Sequence, residues 1–470
     1  MSELFPAGQP LPLESMARVS GFGRSGFVDV YCEFPRTIEE VQQAFRKAET
    51  AGVKAVLRGA GRSYGDAAIG AECLLIDFSE FFRILNWDPE TGVLEAEPGA
   101  TIGDVWRHCL PDGWWPPVVS GTMAPTLAGA LAMNIHGKNA FREGTLGEHV
   151  LEIDVAFPNG KTATLTPEHD LFYAVISGAG LLGAIVRVKL QLKKVASSML
   201  DVYAESAPDL ESQFRLFDAR ESSSDYMVSW VDVFGRGRGL FHSAKNVVEP
   251  DPKSLRPASL ELPSRMLGVI PKSEAWRFLK LLNHRPGMKL LNSAKHLGGK
   301  FIGNRKVHRQ SLVAFSFLLD YAPGWERSYL PGGFIQYQSF VPKEHAKTVF
   351  SEQIKMQRAE GLESFLGVLK RHRADRFLFS HAVDGYSLAL DFKVGEGLTD
   401  RVRRLCHQMN DLVLQAGGRF YFAKDSTLRP EDVAQFIGEG SMAKFRALRA
   451  EYDPKGLLTS GLARRVGLTD

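Results

Sequence analysis

Three glycine-rich turns contain the residue types best suited to holding a phosphate group. Residues 58–68 read RGAGRSYGDAA, residues 120–122 read SGT, and residues 177–185 read SGAGLLGAI. Glycine lets backbone N–H groups approach and surround a phosphate, so each segment is a candidate phosphate-binding turn. One such turn is equally typical of a tight surface turn. Three in succession favour an extended dinucleotide that passes between subdomains.

The first turn matches neither of the two common phosphate-loop patterns. It lacks the GxGxxG spacing of nicotinamide-binding βαβ units and the GxxxxGK[ST] spacing of P-loops, so both classes are disfavoured. Between the second and third turns lie Gly129 and the polar tetrad His136-Gly137-Lys138-Asn139.

The elements around the turns predict a mixed α+β N-terminal domain over residues 1–195. Thr37 and Glu40 form a capping-box pattern, and Gly52 supplies a stop for the helix that follows. Asn159-Gly160 between two apolar runs predicts a β-hairpin. The predicted strands are 54–58, 74–78, 93–97, 150–157, 161–165 and 184–193, and further helices are predicted at 101–110 and 168–176.

The second half predicts a different architecture. Strand-like runs occur at 226–234, 312–319, 333–340, 365–369 and 386–392, with amphipathic helices at 343–360 and 400–415. This order predicts an antiparallel sheet with helices on one face, assigned to a substrate domain at 196–418 that carries a basic insertion at 253–309. Residues 419–470 begin with the strand-like RFYFAKDS and are expected to return to the first domain.

Composition is that of an ordinary globular protein. The chain has 470 residues, 44% of them hydrophobic and 24% charged. Its four cysteines are scattered and form no CxxC pair, which predicts neither disulfides nor a metal site and favours a cytoplasmic location. The uncharged run 113–135 contains three prolines and is predicted to be buried loop and short helix around a bound molecule rather than a membrane span.

The order of the motifs resembles one enzyme family. RGAGRSYGD at 58–66, VSGT at 119–122, NIHGKN at 134–139, SGAGLLGAIVRV at 177–188 and FAKDS at 422–426 are similar to the FAD-dependent oxidases of the vanillyl-alcohol oxidase type. Within that family the chain most resembles the flavin subunits that oxidise a polyprenyl-phosphate-linked ribose. The resemblance implies a two-subdomain FAD-binding domain joined to a substrate domain.

The resemblance also implies which residues bind the cofactor. The FAD pyrophosphate and its neighbours would contact Gly59, Gly61, Arg62, Ser63 and Tyr64. The rest of the cofactor would contact Gly121, Thr122, Gly129, Ala132, His136, Ala179, Gly180 and Ile185, with Tyr421 near the flavin. Related flavoproteins often attach FAD covalently to a histidine in the first loop, and Arg62 stands there in this chain, so we expect non-covalent FAD.

Lys424 is the principal catalytic candidate, with His136 as the second. Oxidation of a secondary alcohol by flavin requires the carbinol hydride to lie close to flavin N5 and the hydroxyl proton to be accepted or its developing charge stabilised. A partly buried lysine can lose its proton and act as a base, or keep it and stabilise alkoxide character. The expected substrate-binding residues are Lys138, Gln336, Gln338, Lys370, Tyr386 and Trp230. Taken singly, each is more usually a solvated or core side chain.

One position departs from the family pattern. The strand GYSLALDF carries Ala389 where the best-known members have a cysteine, and Ser387 where they have an asparagine. That thiol has no required role in hydride transfer, but the shape of the substrate pocket could differ.

The sequence therefore predicts an FAD-dependent oxidoreductase that converts a sugar secondary hydroxyl, of a polyprenyl-phosphate-linked ribose, to the 2'-keto form. A soluble sugar, alditol or aldonolactone oxidase of the same fold is one alternative, and a non-catalytic flavin-binding scaffold is another. A short-chain reductase partner would complete an epimerisation.

The charge distribution suggests a membrane contact. Formal net charge is +3, but residues 253–309 contain 13 Lys and Arg against Glu261 and Glu274, so the rest of the chain is net acidic. Interleaved apolar residues make this stretch a candidate for peripheral contact with the inner face of a membrane. A solvated basic face packed on the sheet explains the pattern nearly as well. Without a recognised nucleic-acid module, nucleic-acid binding is not expected.

Overall fold

The computed structural model describes residues 11–262, 265–266, 270–301 and 304–470. The described strands are β1 (Met16–Ser20), β2 (Phe27–Glu33), β3 (Ala55–Arg58), β4 (Leu74–Asp77), β5 (Ile84–Asp88), β6 (Val93–Ala96), β7 (Trp114–Trp115), β8 (Val150–Ala156), β9 (Thr162–Leu165), β10 (Ala184–Gln191), β11 (Lys193–Lys194), β12 (Met199–Ala207), β13 (Tyr226–Asp232), β14 (Arg238–Asn246), β15 (Arg265–Met266), β16 (Ile270–Pro271), β17 (Lys306–Ser311), β18 (Phe334–Pro342), β19 (Gly367–His372), β20 (Gly385–Lys393) and β21 (Arg419–Phe420). The described helices are α1 (Ile38–Ala51), α2 (Ile102–Cys109), α3 (Leu127–Ala132), α4 (Ala140–Glu143), α5 (Asp170–Val175), α6 (Leu210–Arg220), α7 (Ala275–Leu282), α8 (Arg285–Phe301), α9 (Leu312–Ser316), α10 (Lys343–Glu360), α11 (Thr399–Gln415), α12 (Pro430–Ile437), α13 (Glu439–Tyr452) and α14 (Gly461–Arg465). The predicted mixture of helices with antiparallel sheets is confirmed.

The first sheet leads the chain into the first glycine turn. Its strand order is β1-β2-β4-β3, with β2, β4 and β3 parallel. Helix α1 covers it and starts as predicted, because the Thr37 hydroxyl accepts a hydrogen bond from the Glu40 N–H. Gly52, at φ 69°, ends the helix in the left-handed conformation that glycine adopts without steric cost. Strand β3 then delivers Arg58 and the turn that follows to the sheet edge.

The second sheet, in the order β5-β6-β10-β8-β9, is antiparallel. Its β8–β9 hairpin turns at Asn159-Gly160 as predicted, with Gly160 at φ 85°. The uncharged run 113–135 forms β7, a loop and the short helix α3, so the expected loop and helix are present. Among the described residues, no helix has the length and apolar character needed to span a membrane.

The third sheet is the largest and carries the floor of the site. Eight strands run in the order β17-β12-β14-β13-β19-β20-β18-β21, and their pairings are antiparallel. Helices α6, α10 and α11 pack on one face. Successive side chains of a strand point to opposite faces, so alternate residues of the central strands face away from these helices.

Some predictions for this half were wrong. Residues 312–319, expected to be a strand, begin with α9, whose N-cap Ser311 accepts from the Ala314 N–H. A short apolar run cannot be assigned to strand or helix by periodicity alone. Strands β12, β14 and β17 were not predicted, and RFYFAKDS is a strand only over Arg419–Phe420. The basic stretch 253–309 contributes α7, α8 and part of β17, and some of its residues lie outside the described ranges.

The C-terminal residues contact the N-terminal sheet and the first turn. Leu458 bridges to Ala55, and the Gly461 N–H donates to the Ile69 carbonyl at 2.7 Å. The Tyr64 N–H donates to the Ala423 carbonyl at 2.8 Å. The segment after β21 is therefore held against the first glycine turn.

Candidate active site

A cavity of about 750 Å³ lies between the three glycine turns and the face of the eight-stranded sheet opposite α6, α10 and α11. Nearly all the residues predicted for the site line it. They are Gly59, Gly61, Arg62, Ser63, Tyr64, Gly121, Thr122, Gly129, Ala132, His136, Ala179, Gly180, Ile185, Tyr421, Lys424, Lys138, Gln336, Gln338, Lys370 and Trp230.

The first turn requires glycine for steric reasons. A Cβ on Gly59 would lie 2.1 Å from Thr126 Oγ1, and a Cβ on Gly65 would lie 2.0 Å from the Asp425 carbonyl oxygen. Gly61 has φ 61°. Within the described ranges, the backbone N–H groups of residues 60–63 have no protein acceptor. The turn thus presents free donors to the cavity, which is the arrangement an anionic group needs.

A partly buried ion-pair network fixes the segment that carries Lys424. Arg465 donates to both Asp66 and Asp425, with 2.8 Å from Nη2 to each carboxylate. The other oxygen of Asp425 accepts the N–H groups of Thr427 and Leu428. Asp425 is only 5% exposed, so loss of Arg465 would leave its buried charge without this partner, and the network therefore holds the segment beside the first turn.

The second and third turns are also constrained. Thr122 Oγ1 donates to Asp320 at 2.6 Å, and the Met123 N–H donates to the same carboxylate at 2.9 Å. In the third turn Ser177 and Ala179 adopt φ of 71° and 54° beside Gly180 at 73°. The left-handed conformation costs a residue other than glycine about 1–2 kcal/mol, and such strain concentrates at ligand sites.

The sheet floor is built by alternation and register. Gln338 on β18 pairs with Ala389 on β20, Ala389 pairs with Val368 on β19, and Val368 pairs with Trp230 on β13. These four side chains form one row across the face. Gln336 and Lys370 follow at two-residue spacing on the same face of their strands.

Tyr386 is the exception among the predicted residues. It is three residues from Ala389 on β20, and an odd spacing in a strand places two side chains on opposite faces. Its ring packs against Phe214 and Phe217 of α6, and its hydroxyl lies 3.1 Å from Asp218 Oδ1. The prediction that Tyr386 borders the pocket is therefore corrected, because its side chain faces the helices.

His136 lies at the junction of turns and sheet. Gln338 Nε2 donates to His136 Nε2 at 3.2 Å, so Nδ1 carries the proton of the neutral ring, and this buried nitrogen has no partner among the described residues. Burial, with the nearby cation Lys370, holds the pKa of His136 well below its usual value. His372 and His381 lie beside it, at ring distances of 4.9 and 5.3 Å. Sequence reasoning missed both, because they come together only through long-range folding.

Lys424 lies over the ring of Tyr64, with Nζ 3.5 Å from the ring centroid. Burial, assisted by the charge of Lys370 and opposed by that of Asp391, lowers the pKa of Lys424 to about 7. Burial raises the pKa of Asp391 to about 7, although its hydrogen bond from Gln336 Nε2 and the charge of Lys424 act in the opposite direction. Lys424 and Asp391 therefore form a buried acid–base pair that titrates near neutrality.

Asp391 is a residue that sequence reasoning missed. It lies two residues after Ala389 on β20, so the alternation that places Ala389 at the pocket also directs Asp391 to that face. Its Oδ2 is buried and has no partner among the described residues.

Lysines line the floor beyond Gln338. Lys138 Nζ donates to the backbone carbonyls of Phe315 and Ser316. Burial lowers the pKa of Lys370 to about 8. Lys295, from α8, was not predicted as a site residue; its Nζ lies 4.5 Å from the centre of the Trp230 ring at the cavity wall.

Comparison with known proteins places these features in context. A model described as FAD binding domain matches residues 31–166. Decaprenylphosphoryl-beta-D-ribose oxidase of Mycolicibacterium smegmatis is 30% identical over 91% of this chain and 92% of its own. The "uncharacterized protein in mprA 5'region" of Streptomyces coelicolor is 29% identical over 76% of this chain and 97% of its own. A putative D-arabinono-1,4-lactone oxidase of Neurospora crassa is 24% identical over 46% of this chain and 38% of its own.

The residues at the cavity fit FAD. Within the described part of the chain, the backbone N–H groups of 60–63 and the protonated Nδ1 of His136 have no protein acceptor, which matches an anionic, acceptor-rich dinucleotide. A volume of about 750 Å³ falls within the range of cofactor pockets, about 300–1,000 Å³. The glycines leave room that a Cβ would fill.

Proposed function

Because this chain belongs to the family of FAD-binding oxidoreductases that includes decaprenylphosphoryl-β-D-ribose oxidase, we propose that it oxidises a secondary hydroxyl of a sugar to a ketone. The substrate proposed is a ribose joined to a polyprenyl phosphate, and the product its 2'-keto form. The first two sheets with residues 419–470 would form the FAD-binding domain, and the eight-stranded sheet the substrate domain.

The single observation that carries the proposal is the position of Lys424. Its ammonium lies on Tyr64, between the FAD-binding turns and the sheet floor, and its pKa of about 7 leaves a large neutral fraction at physiological pH. When bound, FAD supplies the hydride acceptor. Neutral Lys424 accepts the hydroxyl proton of the substrate, and a base whose pKa lies near the working pH is efficient in that role.

The other residues of the floor orient the sugar. Gln336 and Gln338 present amide groups to the cavity, and Gln338 is held in place by His136 and Ser387. Neutral His136 donates from Nδ1 toward the cofactor side of the cavity. Enclosure by Tyr421, Tyr64 and the floor limits water at the reacting carbon.

The enzymatic alternative is a sugar, alditol or aldonolactone oxidase. It is favoured by the similarity to a putative D-arabinono-1,4-lactone oxidase, and by Ala389, which leaves more space on the floor than a cysteine would. A flavin-binding scaffold without turnover is the other alternative. Anaerobic flavin reduction by lipid-linked pentose, free alditols and lactones distinguishes the three functions. The lipid-linked pentose should reduce the flavin of the proposed enzyme, free alditols or lactones should reduce that of a soluble oxidase, and none should reduce that of a scaffold.

The catalytic assignment is tested with Lys424→Met. The variant should keep its FAD and lose at least about 100-fold in the rate of anaerobic flavin reduction, in line with the loss of a general base. Lys289→Met, on the exposed face of α8, is the matched control and should reduce at the wild-type rate. Unchanged reduction in Lys424→Met would remove Lys424 from the mechanism.

We also propose peripheral membrane contact through α7 and α8. Exposed apolar side chains occur at Phe278 and Leu281 of α7, and at Leu290, Leu297 and Phe301 of α8. Exposed Lys280, Lys289 and Lys300 accompany them. Of the basic residues in this stretch, Lys272 is buried, and Arg285, Arg305 and Arg309 pair with Glu363, Glu205 and Asp201.

Co-sedimentation with anionic vesicles tests this contact. Phe278→Ser with Leu281→Ser, or Lys280→Gln with Lys289→Gln and Lys300→Gln, should lower the bound fraction. Each lysine contributes about 1 kcal/mol near an anionic leaflet, so the triple change should weaken binding by about 100-fold. Equal sedimentation of all the variants would contradict the proposal.

Non-covalent FAD and a short-chain reductase partner complete the proposed function. Arg62 stands in the first turn where related flavoproteins attach FAD to histidine, and arginine forms no such bond. The reductase would convert the 2'-keto product to the epimeric alcohol.

A further inference from the structure

Three lysine side chains border one half of the cavity. Lys138 lies beyond the second turn, Lys370 on β19, and Lys295 on α8, which crosses the sheet at β12 and β14. Among the described residues, none of the three forms an ion pair with a carboxylate, and desolvation lowers the pKa of each.

Lys295 is placed at the cavity by its neighbours on α8 and the sheet. Asn292 Nδ2 donates to Asp232 on β13, and Arg238 Nη2 donates to Ser293 Oγ at 2.8 Å. These bonds fix one face of the helix on the sheet. The Lys295 ammonium then lies over the Trp230 ring, which positions it but supplies no full counter-charge.

The register connects these lysines across the floor. Trp230 pairs with Val368, and Lys370 follows Val368 by two residues on the same face of β19. Lys295 lies above β13, and Lys424 lies beyond β18 in the strand order β13-β19-β20-β18-β21. Lys370, on β19, is therefore between them. Lys370 is close enough to Lys138 for its charge to lower the pKa of that residue.

The carboxylates that line the cavity are engaged elsewhere. Asp320 accepts from Thr122 and Met123, and Glu326 lies 3.7 Å from Arg24. Gathering unpaired ammonium groups in a partly desolvated cavity is unfavourable in the free protein, and an anion that binds among them reverses the penalty.

We propose that Lys295, with Lys370 and Lys138, forms an anion-binding subsite that receives the phosphate group of the substrate. The inference rests on the proposed function in that the same cavity holds the sugar, and it assigns Lys295 to phosphate recognition. Lys424 then acts on the hydroxyl from one side of Lys370 while the phosphate is bound on the other.

The test measures binding without turnover. Calorimetric titration of the FAD-loaded protein uses geranyl phosphate, inorganic phosphate and the uncharged geranyl methyl ether. None contains a sugar hydroxyl, so the result stands whether or not the proposed oxidation occurs. The variants are Lys295→Met, Lys295→Gln and Lys295→Arg, with Lys347→Met at an exposed position of α10 as the control. FAD content and thermal midpoint establish that each is folded.

The wild type should bind geranyl phosphate at least about tenfold more tightly than the ether, because the lysines can make charge-assisted hydrogen bonds to the phosphate and not to the ether. Lys295→Met and Lys295→Gln should lose most of that preference, Lys295→Arg should keep it, and Lys347→Met should match the wild type. Tighter binding of geranyl phosphate than of inorganic phosphate indicates a lipid phosphate, and equal binding indicates a free phosphate ester; both support the subsite. Wild-type affinity for geranyl phosphate in Lys295→Met, or equal binding of the ether, would overturn it.

Discussion

Replacement of Asp391 by asparagine should move the pH dependence of flavin reduction toward acid. Asp391 raises the pKa of Lys424, whereas burial and Lys370 lower it. Asparagine keeps the shape of the side chain and removes the charge, so only the two lowering influences remain. The pKa of Lys424 should therefore fall below its value of about 7.

The size of the effect follows from the charge state of the pair. An opposite charge nearby shifts a pKa by about 1–3 units. Because the pKa of Asp391 is itself about 7, the carboxylate is ionised in only part of the molecules near neutrality, which favours the lower end of that range. The two groups titrate as a coupled pair in the wild type, and Lys424 titrates alone in the variant.

The assay is anaerobic stopped-flow measurement of flavin reduction at saturating substrate across pH. With neutral Lys424 as the base, the rate rises with pH up to its pKa and then levels off. In Asp391→Asn the rising part of the profile should lie up to about one pH unit lower, so that near neutrality, where the wild-type carboxylate is partly ionised, the variant reduces its flavin several-fold faster. Well below neutrality Asp391 is protonated in the wild type, so the two rates should converge there.

Glu326→Gln is the matched control. Glu326 lines the cavity and its charge lies against Arg24, so neutralising it should leave the rising part of the profile at the same pH. If the rising part of the pH–rate profile lies at the same pH in Asp391→Asn as in the wild type, the assigned electrostatic interaction between Asp391 and Lys424 is refuted. A rate that falls with rising pH would show that Lys424 acts as a cation instead of a base.

Three further predictions concern the cofactor and the pocket. Acid precipitation of the purified protein should leave FAD in the supernatant, since Arg62 stands where related flavoproteins attach the flavin, and a yellow pellet would contradict this. Gly59→Ala should weaken FAD binding, measured by fluorescence titration of the apoprotein, because its Cβ would collide with the side chain that caps α3; Gly26→Ala, which has open space, should bind as the wild type does, and equal affinities would show that the turn tolerates a side chain. Tyr386→Phe should leave KM and kcat for the sugar unchanged and lower only the thermal midpoint, because its hydroxyl contacts α6 on the opposite face; a raised KM would restore it to the pocket.

Much of the predicted FAD-binding half of the molecule could be found from the sequence, because short sequence patterns encode its turns, helix starts and hairpin. A glycine-rich turn, a capped helix and an Asn-Gly hairpin are each encoded within a few neighbouring residues, and the structure has all three where the sequence places them. The substrate side depends on long-range pairing. Strand β14 lies between β12 and β13, an order that the pattern of each segment does not reveal.

The residues of the candidate site also differ in whether local sequence periodicity identifies them. Gln336, Gln338 and Lys370 were predicted and do line the cavity, whereas Tyr386 was assigned to it against the two-residue period of its own strand. The same period would have identified Asp391. Lys295 could not have been found, since its place depends on how α8 crosses the sheet.

The most direct test of the central claim is anaerobic titration of the yellow protein with a short-chain polyprenyl-phospho-ribose. We expect the flavin to bleach in proportion to added substrate, and the corresponding 2-deoxyribose compound to leave the colour unchanged. Equal bleaching by the 2-deoxy compound would contradict oxidation at that hydroxyl, and a flavin that no sugar reduces would contradict the proposed activity as a whole.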